Sequence, residues 1–363
     1  MKMNGSLLFA ILLVSWCVPV IAQSSFPRPD AVLYDAKHKE PKSGVELRGN
    51  EITIRSGVGT PSTINVLAFS RDGTFLVAGK DYGRVVIWQV ANGSFLRAID
   101  TGQGIVNAVA VSPDDQLIAT AGQEDQRILI WNVSDGRLVR SLKIGNPPVH
   151  ALAFGLNSAT LVGSENGAPT FVFDATSGNS VEMFPEEWSP VLSVDGKALM
   201  TVLKNEVIVR DTRTWKKQAE IPRPTKSAFP LALNENSDAY VYGDSADNHS
   251  FISVRISTGE LFPNQKFGKL PQWNPSEGGF AAFDPQSGLV FGHSGGRLWV
   301  WNIQDGKTCM SPVLYSESGA LSSDGSMLAG GLDNSIFATD KVKPGVVFWH
   351  TSSIRKACGM QAQ

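Results

Sequence analysis

The chain is expected to be all-β, a closed ring of repeated antiparallel sheets. Three observations predict this. Apolar segments recur with a period of about 40–45 residues. Each repeat holds short β-branched runs broken by polar turns, with no long stretch of 3.6-residue periodicity. Glycine is abundant, at 35 of 363 residues, and charged residues make up only 18%, which suits many tight turns better than long helices.

The clearest repeat runs Asn65 to Gly73, then Phe75 to Gly79, then Val85-Val86-Ile87-Trp88. The next runs Asn107 to Ser112, then Leu117 to Gly122, then Ile128-Leu129-Ile130-Trp131. The residue opening the first turn is Ser70, Ser112, Gly155, Ser193, Asn234, Asp284 and Ser322, at steps of 38 to 50 residues. The third strand ends on Trp88, Trp131, Phe173, Trp301 and Trp349, with Arg210 and Val254 in the fourth and fifth repeats. A turn follows at Asn92-Gly93, Asp135-Gly136, Ser177-Gly178, Thr258-Gly259 and Asp305-Gly306, suited to tight hairpins. Four strands per repeat and seven marks predict a seven-bladed β-propeller of four-stranded antiparallel blades.

From Asn65 to Cys358 the pattern resembles the WD-repeat (WD40) family as a divergent, secreted member. The family's Trp-Asp pair stands here as Trp88-Gln89, Trp131-Asn132, Phe173-Asp174, Arg210-Asp211, Trp301-Asn302 and Trp349-His350. The Gly-His pair that normally precedes each first strand is missing, and of the turn Asp only Asp125 remains, with Tyr82 and Gly295 at that place elsewhere. The resemblance therefore implies blades without the family's buried His network, relying on apolar packing between sheets.

Three segments are expected: 1–22 a signal peptide, 23–62 a leader with a candidate ring-closing strand, and 63–363 the propeller. Lys2, the apolar run Leu7 to Pro19 and the small-residue end Val20-Ile21-Ala22 fit a cleaved secretory signal. The run is about 16 residues, short of the roughly 20 needed to span a bilayer. Trp16 before Cys17 argues against lipid attachment. Val45-Glu46-Leu47 and Ile52-Thr53-Ile54 read as a strand pair. Either an N-terminal strand or Ile354 to Cys358 is left to close the ring. Leu332 to Gly345 is an insertion expected to protrude as a loop. Once exported, the chain keeps Cys309 and Cys358, a candidate disulfide. Their place late in neighbouring repeats, on expected outer strands, argues against the Cα separation of about 6 Å that a bridge needs.

Formal net charge is −2, which disfavours nucleic acid as a partner. Gly292-His293-Ser294-Gly295-Gly296 matches a nucleophile elbow, but a strand rather than a helix follows it. Gly57-Val58-Gly59-Thr60-Pro61 has no helix to cradle a phosphate. Asp244, Asp247 and Asn248 sit in a turn, a common place for such residues with or without calcium. The five histidines show no zinc spacing. The run from Arg210 to Lys226 is basic around Trp215, a docking patch for an anionic surface or a solvated outer strand. Asn92, Asn132 and Asn248 each open an N-x-Ser sequon.

No catalytic residues, metal or cofactor are expected. The reading is a non-enzymatic interaction or scaffold module, monomeric, secreted or periplasmic, that binds a protein or glycan partner. The alternative is a propeller enzyme, lactonase-like or quinoprotein-like, with its site at the channel mouth. Loops between second and third strands, with the inter-blade loops, frame that mouth. Their aromatic residues Tyr82, Trp188 and Trp273 are the candidate binding residues.

Overall fold

The computed structural model describes residues 31–33, 46–48, 51–53 and 63–360, apart from 146–147, 166–168, 194–195, 224–227, 234–238, 245–249, 256–280, 285–287, 295–296, 303–306, 315–317 and 333–344. Three short strands come first: β1 (Ala31–Leu33), β2 (Glu46–Arg48) and β3 (Glu51–Thr53). β2 and β3 form a hairpin of their own. Blade one is β4 (Ile64–Phe69), β5 (Phe75–Lys80), β6 (Arg84–Gln89) and β7 (Phe95–Asp100). Blade two is β8 (Val106–Val111), β9 (Leu117–Gly122), β10 (Arg127–Asn132) and β11 (Leu138–Lys143). Blade three is β12 (Val149–Phe154), β13 (Thr160–Glu165), β14 (Thr170–Asp174) and β15 (Ser180–Phe184). Blade four is β16 (Trp188–Leu192), β17 (Ala198–Leu203), β18 (Glu206–Asp211) and β19 (Lys217–Pro222).

A three-stranded sheet follows, of β20 (Ala228–Leu233), β21 (Ala239–Asp244) and β22 (Ser250–Arg255). Blade five is β23 (Ala281–Asp284), β24 (Leu289–Ser294), β25 (Arg297–Asn302) and β26 (Thr308–Leu314). Blade six joins β27 (Gly319–Leu321), β28 (Met327–Leu332) and β29 (Gly345–His350) to β1. All pairings are antiparallel.

The expected seven four-stranded blades are therefore corrected to six. The fifth repeat gives three strands among the described residues. Its third strand carries Val254 where five other repeats carry an aromatic. The sequence after it holds Pro263, Pro271 and Pro275, each lacking the N–H that a ladder needs. The innermost strands β4, β8, β12, β16, β20, β23 and β27 touch in succession, and β27 touches β4. That closes a ring around a channel.

The core lies between blades, which explains the uninterrupted apolar runs. A strand buried on both faces has no polar side to show. In β5 and β6, Phe75, Val77, Val85 and Ile87 face blade two, where they meet Val106, Ile118, Leu129 and Trp131. The alternate residues Leu76, Ala78, Val86 and Trp88 face blade six, against Ala329, Val346 and Phe348. Trp88, Trp301 and Trp349 are almost wholly buried. At roughly 25 cal/mol per Å² of apolar surface, these seams are the main stabilising contacts.

The ends of the chain are tied in two ways. β1 pairs with β29, with Ala31 opposite Phe348 and Leu33 opposite Val346, so an N-terminal strand is the outer strand of blade six. Residues 351–357 instead form helix α1 (Thr351–Ala357), whose Ile354 is buried against blade five. Cys358 caps that helix and is bonded to Cys309 of β26, at a Cα separation of 5.8 Å. The expected obstacle to this bridge disappears because Cys358 does not lie on an outer strand. β28 and β29 meet with Leu332 opposite Gly345 across the insertion, whose residues 333–344 lie outside the described residues. No helix among the described residues is long and apolar enough to cross a membrane.

Candidate functional site

The loops between second and third strands meet the inter-blade loops at one end of the channel. Tyr82 sits in a single 3-10 turn, Asp81–Gly83, joining β5 to β6. It adopts φ 60° and ψ 29° and is 79% exposed. That left-handed conformation is uncommon for a tyrosine and needs support from its surroundings. The Asp81 carboxylate supplies it by accepting from the Thr63 backbone N–H at 2.9 Å and from Asn65 Nδ2 at 3.0 Å. On the other side, Gly83 N–H donates to the Gly104 carbonyl, and Thr101 N–H to the Gly83 carbonyl. Tyr82 and the part-exposed Ile105 thus flank a fixed junction between blades one and two.

Behind this junction a buried polar chain runs into blade two. Trp131 Nε1 donates to Thr120 Oγ1 at 2.9 Å, and Thr120 donates to Gln103 Oε1 at 2.6 Å. Gln103 Nε2 donates to the Arg127 carbonyl at 2.9 Å. A Cβ at position 122 would collide with the Gln103 carbonyl, so Gly122 is what lets this loop approach. Blade four repeats the arrangement with charges. Thr201 Oγ1 donates to Glu187 Oε2 at 2.6 Å, and Arg210 Nε donates to the same oxygen at 3.1 Å. Arg210 Nη2 pairs with Glu187 Oε1, Nη1 donates to the Trp215 carbonyl, and the guanidinium lies over the Phe184 ring.

These networks correct the expectation that blades lacking the Gly-His pair hold together by apolar packing alone. Gln103 and Glu187, which lie just before the innermost strands β8 and β16, supply these bonds. Thr120 and Thr201 stand two residues beyond the partners of the third-strand aromatic position, Ile118 and Leu199. Counted the same way, the other four-stranded blades hold Ala78, Gly163, Gly292 and Gly330 there. Asp125, the one turn Asp retained, pairs with Arg127 instead.

The innermost strands carry a second shared feature. Each of β4, β8 and β12 has a β-bulge at this end of the channel. The bulges fall at Asn65, Asn107 and His150, which have no Cα partner on the adjacent strand. β16 has a wider one at Ser189 and Pro190, with Ser189 at φ 53°. Bulges re-aim side chains and occur beside binding sites. Partial desolvation by the surrounding residues pushes the His150 imidazole below its ordinary pKa, which favours the neutral form. Sequence reading missed these residues; the signal was a polar second residue in strands that are otherwise apolar.

Of the three aromatic binding candidates, Tyr82 and Trp188 belong to blades one and four, with two blades between them. Trp188 opens β16, is half-buried, and lies under the Arg223 guanidinium at 5.3 Å. Trp273 lies outside the described residues, as do Asp247, Asn248 and Lys226. The basic run does not form one patch. Arg210 is inside blade four, Lys217 pairs with Glu220, and Arg223 donates to the Lys204 carbonyl. Ser294 ends β24 opposite Arg297 of β25, so a strand rather than a helix follows it. His350 is exposed at the end of β29. Among the described residues, no group of three or more His, Cys, Asp or Glu is arranged to hold a metal.

A family model, "WD domain, G-beta repeat", matches residues 53–89 and 93–132, which carry the first repeat and most of the second. The first two blades therefore carry WD40 repeats, within a β-propeller. Solved structures with the same fold include Kuenenia stuttgartiensis hydrazine synthase. It is 13% identical, aligned over 84% of this chain and 100% of that one, with a TM-score of 0.64. U3-55K is 16% identical over 80% of this propeller and 96% of its own chain, also at 0.64. At such identity the likeness is one of fold. A search of curated proteins finds no match.

Proposed function

We propose that this propeller is a non-catalytic binding scaffold that works outside the cytoplasm and engages a protein or glycan partner through the loops around its channel. The observation carrying this reading is Tyr82, a large exposed ring on a turn already fixed by Asp81 and Gly83. Aromatic side chains dominate binding hot spots, and a loop ordered in advance loses little entropy on binding. The Cys309–Cys358 bond supports an oxidising compartment, in line with the signal-like first 22 residues.

The test is capture of a partner from periplasm or culture medium by the full chain. Tyr82→Ala is expected to lower capture about tenfold or more, the scale of a hot-spot loss. Trp188→Ala tests whether blade four shares the same surface. Undiminished capture by both variants refutes this face. Edman sequencing of the exported protein is expected to start at Gln23, and an intact Met1 end would refute export by cleavage.

A further inference from the structure

We infer that the bulged residues Asn65, Asn107 and His150, with Ser189, form an uncharged hydrogen-bonding collar at the channel mouth that holds a neutral saccharide. This rests on the channel-face reading above and names its ligand class. The innermost strands β4, β8, β12 and β16 touch in that order, so the four residues follow one another around the rim. Each departs from strand pairing at the same end, where Asn65, Asn107 and Ser189 are half-buried. His150 is exposed while its neighbour Val149 is fully buried.

The chemistry of the set selects the ligand. An amide, a neutral imidazole and a hydroxyl each both donate and accept, which matches sugar hydroxyls that also do both. None of the four carries charge when the imidazole is neutral. The Asp81 carboxylate beside Asn65 is already engaged by Thr63 and Asn65. That bond also fixes the Asn65 amide, with Nδ2 toward Asp81 and Oδ1 left to accept. Tyr82 is the residue next to Asp81, so a flat exposed ring stands beside the collar, as sites that hold sugar rings need. Two backbones in left-handed geometry, Tyr82 and Ser189, lie on this rim, and such strain collects at ligand sites.

The experiment is titration calorimetry of the full chain. The probes are neutral hexose and N-acetylhexosamine oligomers of two to six rings, uronic-acid oligomers, and a mixed peptide library. A neutral oligomer is expected to bind. Asn107→Ala and His150→Ala are each expected to weaken it about tenfold, the fold-change for a lost hydrogen bond to a ligand. His150→Gln, which keeps a neutral donor and acceptor, is expected to bind more tightly than His150→Ala. Tyr82→Phe is expected to retain binding that Tyr82→Ala loses. Melting curves identify any variant that misfolds, and Asn107→Ser and His150→Gln then carry the comparison. The inference is overturned if no neutral oligomer binds, if only acidic oligomers or peptides do, or if folded collar variants bind as the parent does. Partner capture that depends on Tyr82, without oligomer binding, overturns the collar alone. Loss of both defeats the channel-face reading as well.

Discussion

In blade two, Trp131 donates to Thr120 and Thr120 to Gln103, a line of neutral groups. In blade four the same three positions hold Arg210, Thr201 and Glu187, and the line is an ion pair with side chains only 17% and 7% exposed. The two blades tie an inter-blade loop to the sheet behind it in the same place. The neutral version loses one hydrogen bond at a time. The charged version depends on both partners, because either ion left alone in that site is poorly solvated. A fold that needs a polar tie at this position can thus use unrelated side chains, provided the donors and acceptors balance.

This comparison breaks most sharply at Glu187. Glu187→Ala leaves Arg210 buried without its carboxylate and is expected to cost about 3–5 kcal/mol in urea unfolding. A cost under about 1 kcal/mol would show that water or another group replaces it. The double change Glu187→Gln with Arg210→Trp gives blade four the chemistry of blade two. It is expected to be more stable than the sum of the two single changes by about 0.5–3 kcal/mol, and strict additivity would end the analogy. In blade two, Thr120→Val strands the Trp131 N–H and the Gln103 carbonyl, for a loss of about 1–3 kcal/mol.

The seams between blades differ as well. Arg97 donates to the carbonyls of Ser134 and Asp135 over Gly136, and Arg140 to that of Ser177 over Gly178. The blade-four turn has Trp215 at φ 58° in place of that glycine, packed against Phe184 and Leu199. Arg97→Ala is expected to lose about 1 kcal/mol, read as a small shift in the unfolding midpoint. The mildest effect concerns acid. Burial opposes ionisation of Asp114, but hydrogen bonds from Ser112, Gln116 and Ser158 outweigh it and hold its pKa below 3.8. Its contribution is present above that value and fades as pH falls through the lower one. Asp114→Asn is expected to flatten the acid limb of the stability curve slightly.

The propeller and its inter-blade core were legible because a strand buried on both faces has to be apolar throughout. Runs such as Val85 to Trp88 and Ile128 to Trp131 state that directly. The strand count of the fifth repeat was not legible, since a turn signal such as Thr258-Gly259 marks a reversal and not a completed ladder. The polar ties were hidden for another reason. Gln103 and Glu187 sit in inter-blade loops, 17 and 14 residues before the threonines they meet. The signal was present in Thr120 and Thr201, lone hydroxyls inside apolar strands. Arg210 in a tryptophan's place also called for a nearby carboxylate. Expecting Cys358 on an outer strand hid its bond to Cys309, because the turn into a helix after His350 has no strong sequence mark.

The pairing of β1 with β29 joins residues 31–33 to residues 346–348 in one sheet. In synthesis the first of these emerges when the last does not yet exist. Domains otherwise begin to organise from the N-terminus as the chain is made. Here the earliest strand waits for a much later one, so the ring shuts only after residues 346–348 have been made. A ribosome stalled before codon 346 would hold an open arc with blade six unmade.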